Sequence, residues 1–383
     1  MRSSTSDVVV AGGGLIGLSI AWRSAQRGLS VTVVDDAPGG GASFAAAGML
    51  APVTEVAYGE ESLLALCRAS LQRYPTFAAE VEQAGGVPVG LRTAGTLVVG
   101  FDADDQRALD ALAAYQRELG LDVQRLTPRE ARRREPSLTP RLRGALGVAG
   151  DHSVDGRALH AGLLAAATAA GVQLVRARVA GVRVEGGTAT GLHLEDGDEL
   201  TAGAVVVALG ARSGRLPGAP QLPVRPVKGQ ILRLAAAAGL LERTVRALVR
   251  GRPVYLVPYG DDRLIVGATV EDRGFDATVT AGAVHDLLRD AIEVVPGITE
   301  LELVETLARW RPGTPDNAPL LGPCGVLGLV LATGHHRNGA LLTPVTADLI
   351  TDLLVTGELP EPAEPFTLDR FSRPQTPGEL PCR

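Results

Sequence analysis

Gly12, Gly14 and Gly17 follow a short β-branched run, Val8 to Ala11, in a Gly-x-Gly-x-x-Gly pattern. Glycines at this spacing suit a ligand with a pyrophosphate. The first permits a tight turn, the second lets the backbone come close to phosphate, and the third lets a helix pack closely on a strand. That helix, opening with Leu15 and Ile16, presents free N–H groups to the phosphates. Asp35 lies 23 residues beyond Gly12, at the end of a second apolar run (Leu29 to Val34), where a carboxylate can hold ribose hydroxyls. The pattern predicts an adenine dinucleotide and leaves FAD and NAD both open.

Other residues have types suited to chemistry on a small charged substrate. Arg311 sits in Arg309-Trp310-Arg311-Pro312-Gly313, after a strand expected near 302–308. A guanidinium meets a carboxylate with two parallel hydrogen bonds, which fixes orientation as well as charge. Tyr255, one of five tyrosines, falls on an apolar strand and must place its hydroxyl against something polar. Ala46, Ala47, Gly48 and Met49 are small residues followed by a flexible one, suited to close approach by a planar ring. The adjacent His335 and His336 do not converge on one ion without further ligands, so no metal site is expected. Cys67, Cys324 and Cys382 are far apart, which disfavours zinc and a disulfide framework and fits a reducing cytoplasm. Lys228 is the only lysine.

The elements that must position these groups read as α/β. A βαβ unit of about 30 residues opens the chain. Helices are expected at about 60–84, 103–119, 158–170, 280–292 and 339–355, with strands at 90–100, 172–185, 190–195, 204–208 and 326–333. Tyr255 to Pro258 and Leu264 to Gly267 read as antiparallel neighbours around the turn Gly260-Asp261-Asp262. A helix starting near Ala340 would point its N-terminus, with His336, Asn338, Gly339, Ala340 and Leu341, at the cofactor. Arg129 to Glu135 reads as a solvated helix face, and the chain from Glu358 onward as an extended Pro-rich tail.

Composition narrows the classes. The chain has 383 residues, 45% of them hydrophobic and 21% charged, enough to bury a large core. A net charge of −6 gives no support to nucleic-acid or anionic-membrane binding. Val8 to Trp22 is uncharged but holds a glycine triplet and no sensible cleavage site, so no leader is expected. The uncharged stretch 317–334 is broken by prolines and glycines and does not read as a membrane span.

Several segments together resemble one family, the FAD-dependent D-amino-acid and sarcosine oxidases. They are GGGLIGLSIAWRSAQRG, SFAAAGMLAP, VRPVKGQ, VYLVPYGDDRLIVGAT, WRPGTPDNAPLLGP and GHHRNGALLTP. The likeness spans residues 7 to 355 and is greatest to the glycine-oxidising branch tied to thiazole synthesis for thiamine. It implies a Rossmann-like FAD domain (1–86, 148–222 and 305–365), an interleaved antiparallel substrate domain (87–147 and 223–304) and a tail (366–383). It implies non-covalent FAD, an amino-acid substrate with dioxygen, and a homotetramer. It matches Arg311 and Tyr255 to carboxylate binding and Arg337 to the active-site mouth. Val179 would lie against the adenine and Gly210 under the flavin. Several residues depart from the pattern: Pro253 replaces a histidine often found there, Tyr259 a basic residue, His336 a residue usually aromatic or apolar, and Leu209 and Arg212 the common Ala and Trp. The expected reaction is oxidation of glycine, and of sarcosine or small D-amino acids, with hydrogen peroxide formed. A D-amino-acid or N-methyl-amino-acid oxidase or dehydrogenase, and a non-catalytic FAD-binding protein, are the alternatives.

Overall fold

The computed structural model describes residues 5–236, 239–260 and 262–372. Thr5–Ala11 is the centre of the first sheet, paired in parallel with Val31–Val34 on one side and Glu199–Val207 on the other. Gln173–Val175 extends one edge, and Leu329–Thr333 with the antiparallel Leu320–Pro323 extends the other. These strands are near-continuous apolar runs because both faces are covered. Val8, Val10, Val33 and Val206 pack under the helices Leu15–Gln26, Glu61–Gly85, Gly156–Ala169 and Thr343–Thr356. Val9, Ala11, Val205 and Val207 join a second core that includes the hairpin Val179–Glu185/Thr188–Leu194. The glycine turn therefore leaves the C-terminal end of a central strand with a parallel neighbour on each side, the place where such sheets bind ligands.

The second sheet has eight strands in the order Leu303–Gly313, Arg225–Ala235, Arg263–Gly267, Arg252–Tyr259, Thr244–Val249, Thr96–Gly100, Gly144–Val148 and Gln124–Leu126. All pairs are antiparallel except Thr96–Gly100 with Thr244–Val249. Side chains alternate across it, as strand geometry requires. Leu232, Leu234, Val245, Leu256 and Val266 pack against helix Ala281–Val294. The opposite face carries Arg311, Gly229, Gly267, Tyr255 and Arg246, and helix Ala103–Glu118 covers its far end through Leu109 and Ala113.

Four expectations change. The strand expected near 302–308 runs to Gly313 and pairs with Arg225–Ala235, so Arg311 lies on an edge strand rather than a loop, and the boundary drawn at residue 305 falls inside the second sheet. The helix expected from 339 starts at Thr343. Pro344 lacks an N–H and is tolerated only in a helix's first turn, so 336–338 form a 3₁₀ turn instead. The strand expected over 172–185 is two strands, one in each of two pairings, separated by Arg176–Arg178. The tail is not extended over 361–371: it forms two 3₁₀ turns, with Ala363 and Phe366 buried in the first core. Residues 373–383, the rest of the expected tail, and Asp261 lie outside the described residues.

Candidate active site

A single cavity of about 1100 Å³ runs from the glycine turn to the open face of the second sheet. At its dinucleotide end Gly12 has φ +113°, and a Cβ there would stand 2.3 Å from the Ala208 carbonyl oxygen. A Cβ on Gly17 would stand 1.9 Å from the Gly12 carbonyl oxygen, so Gly17 serves helix–strand packing and does not itself line the cavity. Gly14, Leu15 and Ile16 do line it, and at the helix start the Leu15 N–H donates to the Ser43 hydroxyl (3.2 Å). The Asp35 carboxylate lines the cavity too and accepts hydrogen bonds from the N–H groups of Gly13 (2.6 Å) and Ala37 (2.8 Å). Val179 and Gly210 complete this end.

The loop carrying Ala46 to Met49 is tied down from three directions. Arg309 Nε donates to the Gly40 carbonyl (2.8 Å), Arg157 Nε to that of Phe44 (3.1 Å), and the Tyr259 hydroxyl to that of Ala46 (3.0 Å). Both guanidinium groups also lie over the Phe44 ring. Gly48, with φ +71°, has no alternative: a Cβ would stand 1.8 Å from the Val154 carbonyl oxygen. Tyr259, which the sequence left without a role, is thus a support of the loop lining the cavity.

The end of the cavity on the second sheet is built on glycines inside strands. Arg311 reaches across Gly229 on the neighbouring strand, and Nη1 donates to the Thr269 carbonyl (3.1 Å). Tyr255 lies over Gly267, which is opposite it in register. With both glycines bare, the guanidinium and the phenol meet on one face. Burial pushes the Tyr255 hydroxyl above its ordinary pKa while Arg311 beside it pulls the other way, so it stays a donor at neutral pH. On the next strand Arg246 pairs with Tyr255 in register and bonds to the Thr54 carbonyl, with the Glu55 carboxylate 3.6 Å away. Lys228 is fully buried and lies outside the cavity lining. Its ammonium bonds to Asp276 (2.9 Å) and holds the segment that supplies the Thr269 carbonyl.

The turn 335–340 closes the cavity between the two ends. Arg337 is committed to Glu60 (2.5 Å) and to the Glu55 carbonyl (3.3 Å) while still lining the cavity. His336 stands at φ +45° with its Nδ1 buried and unpartnered. Burial, with Arg337 and Arg311 adding to it, pushes its pKa down to about 3, so the ring is neutral. His335 is a core histidine bonded to the Thr346 hydroxyl (3.0 Å). Gly339 and Ala340 line the cavity, whereas Asn338 and Leu341 are buried away from it, contrary to expectation. The Ala340 and Leu341 carbonyls instead accept from Tyr74 and Ser70, which fixes the turn.

These residues fit FAD. Gly14 at the helix start, Gly12 and Gly48, where a Cβ would meet backbone, and His336, whose Nδ1 is buried without a partner, all line one long cavity. Cys67 and Cys324 are buried in the cores and do not line it, so neither can tether the ring. Among the described residues no group of three or more potential ligands could hold a metal ion, and no helix is long and apolar enough to cross a membrane.

A dinucleotide site on a parallel sheet, opening onto an antiparallel sheet that presents a guanidinium and a phenol, defines a two-sheet flavoprotein oxidoreductase. The family model described as FAD dependent oxidoreductase matches residues 7–353, and the chain belongs to that family. It is 36% identical to a glycine oxidase from Geobacillus kaustophilus over 95% of this chain and 97% of the relative. The crystal structure of a glycine oxidase from that organism matches with a TM-score of 0.88 over 96% of this chain and 99% of the other. An iminodiacetate oxidase from Chelativorans sp. BNC1 is 29% identical with a TM-score of 0.84, covering 94% and 98% of the two chains. Bifunctional ThiO/ThiG proteins from Trichormus variabilis and Synechocystis are 33% and 36% identical, and the chain spans 56% of the length of each.

Proposed function

We propose that the protein is an FAD-dependent oxidase of glycine, and of sarcosine or small D-amino acids. The observation that carries this reading is the meeting of Arg311 and Tyr255 over Gly229 and Gly267, in the cavity that begins at the glycine turn. Arg311 and the Tyr255 hydroxyl hold the substrate carboxylate, which orients the α-carbon. FAD, held by Gly12, Gly14 and Asp35 at the glycine turn, would supply the two-electron chemistry there, hydride acceptance with dioxygen as the final oxidant and hydrogen peroxide as its product. The substrate amine must be neutral at that moment, and the resulting imine is hydrolysed to glyoxylate and ammonia or used for thiazole synthesis. The relatives named ThiO/ThiG support the second fate.

Neutral His336 and the Glu60-bound Arg337 close the cavity without adding a free charge beside the substrate. A cytoplasmic location and a homotetramer belong to the same reading; light scattering on purified protein tests the latter. The reading itself is tested by peroxide formation with glycine, sarcosine and D-alanine. Turnover of glycine is expected, and absence of peroxide with all three would overturn it.

A further inference from the structure

Every carbonyl of the segment Val53 to Glu55 is taken by a side chain. Gln116 Nε2 donates to that of Val53 (2.9 Å), Arg246 to that of Thr54, and Arg337 Nη2 to that of Glu55 (3.3 Å). Thr54, Glu55 and both arginines line the cavity. From its other side the segment is held by one carboxylate. Asp151 accepts from the N–H of Val53 on Oδ1 (3.1 Å) and from that of Thr54 on Oδ2 (2.8 Å). Asp151 is fully buried and lies outside the cavity lining.

The Thr54 N–H and the Val53 carbonyl belong to one planar peptide unit. Asp151 and Gln116 therefore fix that plane from its two ends, and the Thr54 carbonyl that receives Arg246 belongs to the next unit. Arg246 pairs in register with Tyr255, and both it and Glu55 act by charge on the Tyr255 hydroxyl. Asp151 thus reaches the substrate end of the cavity without touching it.

We propose that Asp151 is a positioning residue for substrate: its ionised carboxylate holds residues 53–55 in the form that keeps Arg246 and Arg337 engaged and leaves Tyr255 and Arg311 to the substrate carboxylate. This rests on the carboxylate-binding reading above and deepens it. A proton on Asp151 turns one oxygen from acceptor into donor, facing an N–H that also donates. One of the two bonds is then lost, the peptide plane is released, and Arg246 is freed from the Thr54 carbonyl to move against Tyr255. Burial raises the Asp151 carboxyl to about 6, against the bonds from Thr54 and Val53 and the charge of Arg246. The other titratable groups at this junction are Glu55 and Glu60, which face Arg246 and Arg337, together with His152 and Cys67. Burial holds His152 below its ordinary pKa and pushes the Cys67 thiol up.

The test is the Kd of glycolate for the FAD-loaded protein, read from the change in flavin absorbance. Glycolate carries the carboxylate of glycine without an amine that titrates, and it stays ionised between pH 7.5 and 5.0. In the parent, Kd is expected to rise about fivefold over that fall in pH. Asp151→Asn, whose amide likewise offers one acceptor and one donor, should bind about tenfold more weakly at pH 7.5 and show no such rise. In the same variant KM for glycine should increase with kcat kept, which loss of folded protein would not produce. If Asp151→Asn does not fold, the parent profile remains the test, and His152→Asn should retain it. A carboxyl acting only through its charge would make an anion bind more tightly as it gains a proton. A flat or tightening profile in the parent, with glycolate bound, would therefore overturn the role of Asp151 alone. So would a rise that persists in Asp151→Asn or disappears in His152→Asn. No binding of glycolate at any pH would overturn the carboxylate-binding reading and this inference with it.

Discussion

A methyl group on Gly229 would stand 2.4 Å from Nη1 of Arg311. Arg311 therefore has its place because the strand beside it offers no side chain at that point. Gly229→Ala should force the guanidinium off the face shared with Tyr255. A rise of roughly tenfold or more in KM for glycine is expected, with FAD content unchanged because Gly229 is remote from the glycine turn. An unaltered KM would mean that Arg311 does not depend on this trough.

Tyr259 gives a separate prediction about the cofactor. Its hydroxyl is the hydrogen-bond donor to the Ala46 carbonyl, and Tyr259→Phe leaves that part-buried acceptor without this partner at a cost of about 1–2 kcal/mol. Apoprotein titrated with FAD should show Kd raised by roughly tenfold, together with a shift in the flavin's visible absorbance. A Kd and spectrum equal to those of the parent would show that the loop does not need this support.

Acid sensitivity follows from the buried imidazoles. His335 and His336 are both pushed down to about 3 in the folded protein, by burial first. An unfolded histidine titrates near ~6.5. Below that pH the unfolded chain binds more protons, so stability is lost as pH falls from about 6.5 toward 3, by up to about 1.4 kcal/mol per pH unit for each group. Asp151 acts the other way. Burial raises its carboxyl to about 6, so the folded state holds that proton more tightly and offsets part of the loss below that pH. Urea unfolding at pH 6.5 and 5.0 should show a smaller pH-dependent loss for His336→Asn than for the parent. Equal losses would remove His336 from the account.

Much of the dinucleotide end was legible in the sequence because its requirements are local. Gly12, Gly14, Gly17 and Asp35 sit at fixed offsets from a strand and a helix, and the structure puts Gly12, Gly14 and Asp35 just beyond the ends of the central strand pair and Gly17 in the helix that follows. The substrate end was legible only in part. Arg311 and Tyr255 were visible as types, but Gly229 lies 82 residues before Arg311, and even for Gly267, 12 residues after Tyr255 in an expected hairpin, only the register reveals which side chain crosses the glycine. A glycine inside a strand does signal a close approach, and that clue was available. The helix starts later than its apolar spacing suggests because Pro344 is tolerated only in a first turn, and strand Arg225–Ala235 is hidden by its own charges at Arg225, Lys228 and Arg233.

The pairing of Arg311 with Tyr255 as the carboxylate clamp is tested most directly by anaerobic reduction of the bound flavin by glycine, followed by loss of its visible absorbance. The parent should be fully reduced with saturable dependence on glycine, and Arg311→Ala, carrying the same amount of FAD, should need roughly 100-fold more glycine. Saturation of Arg311→Ala at the parent's glycine concentration would contradict the account.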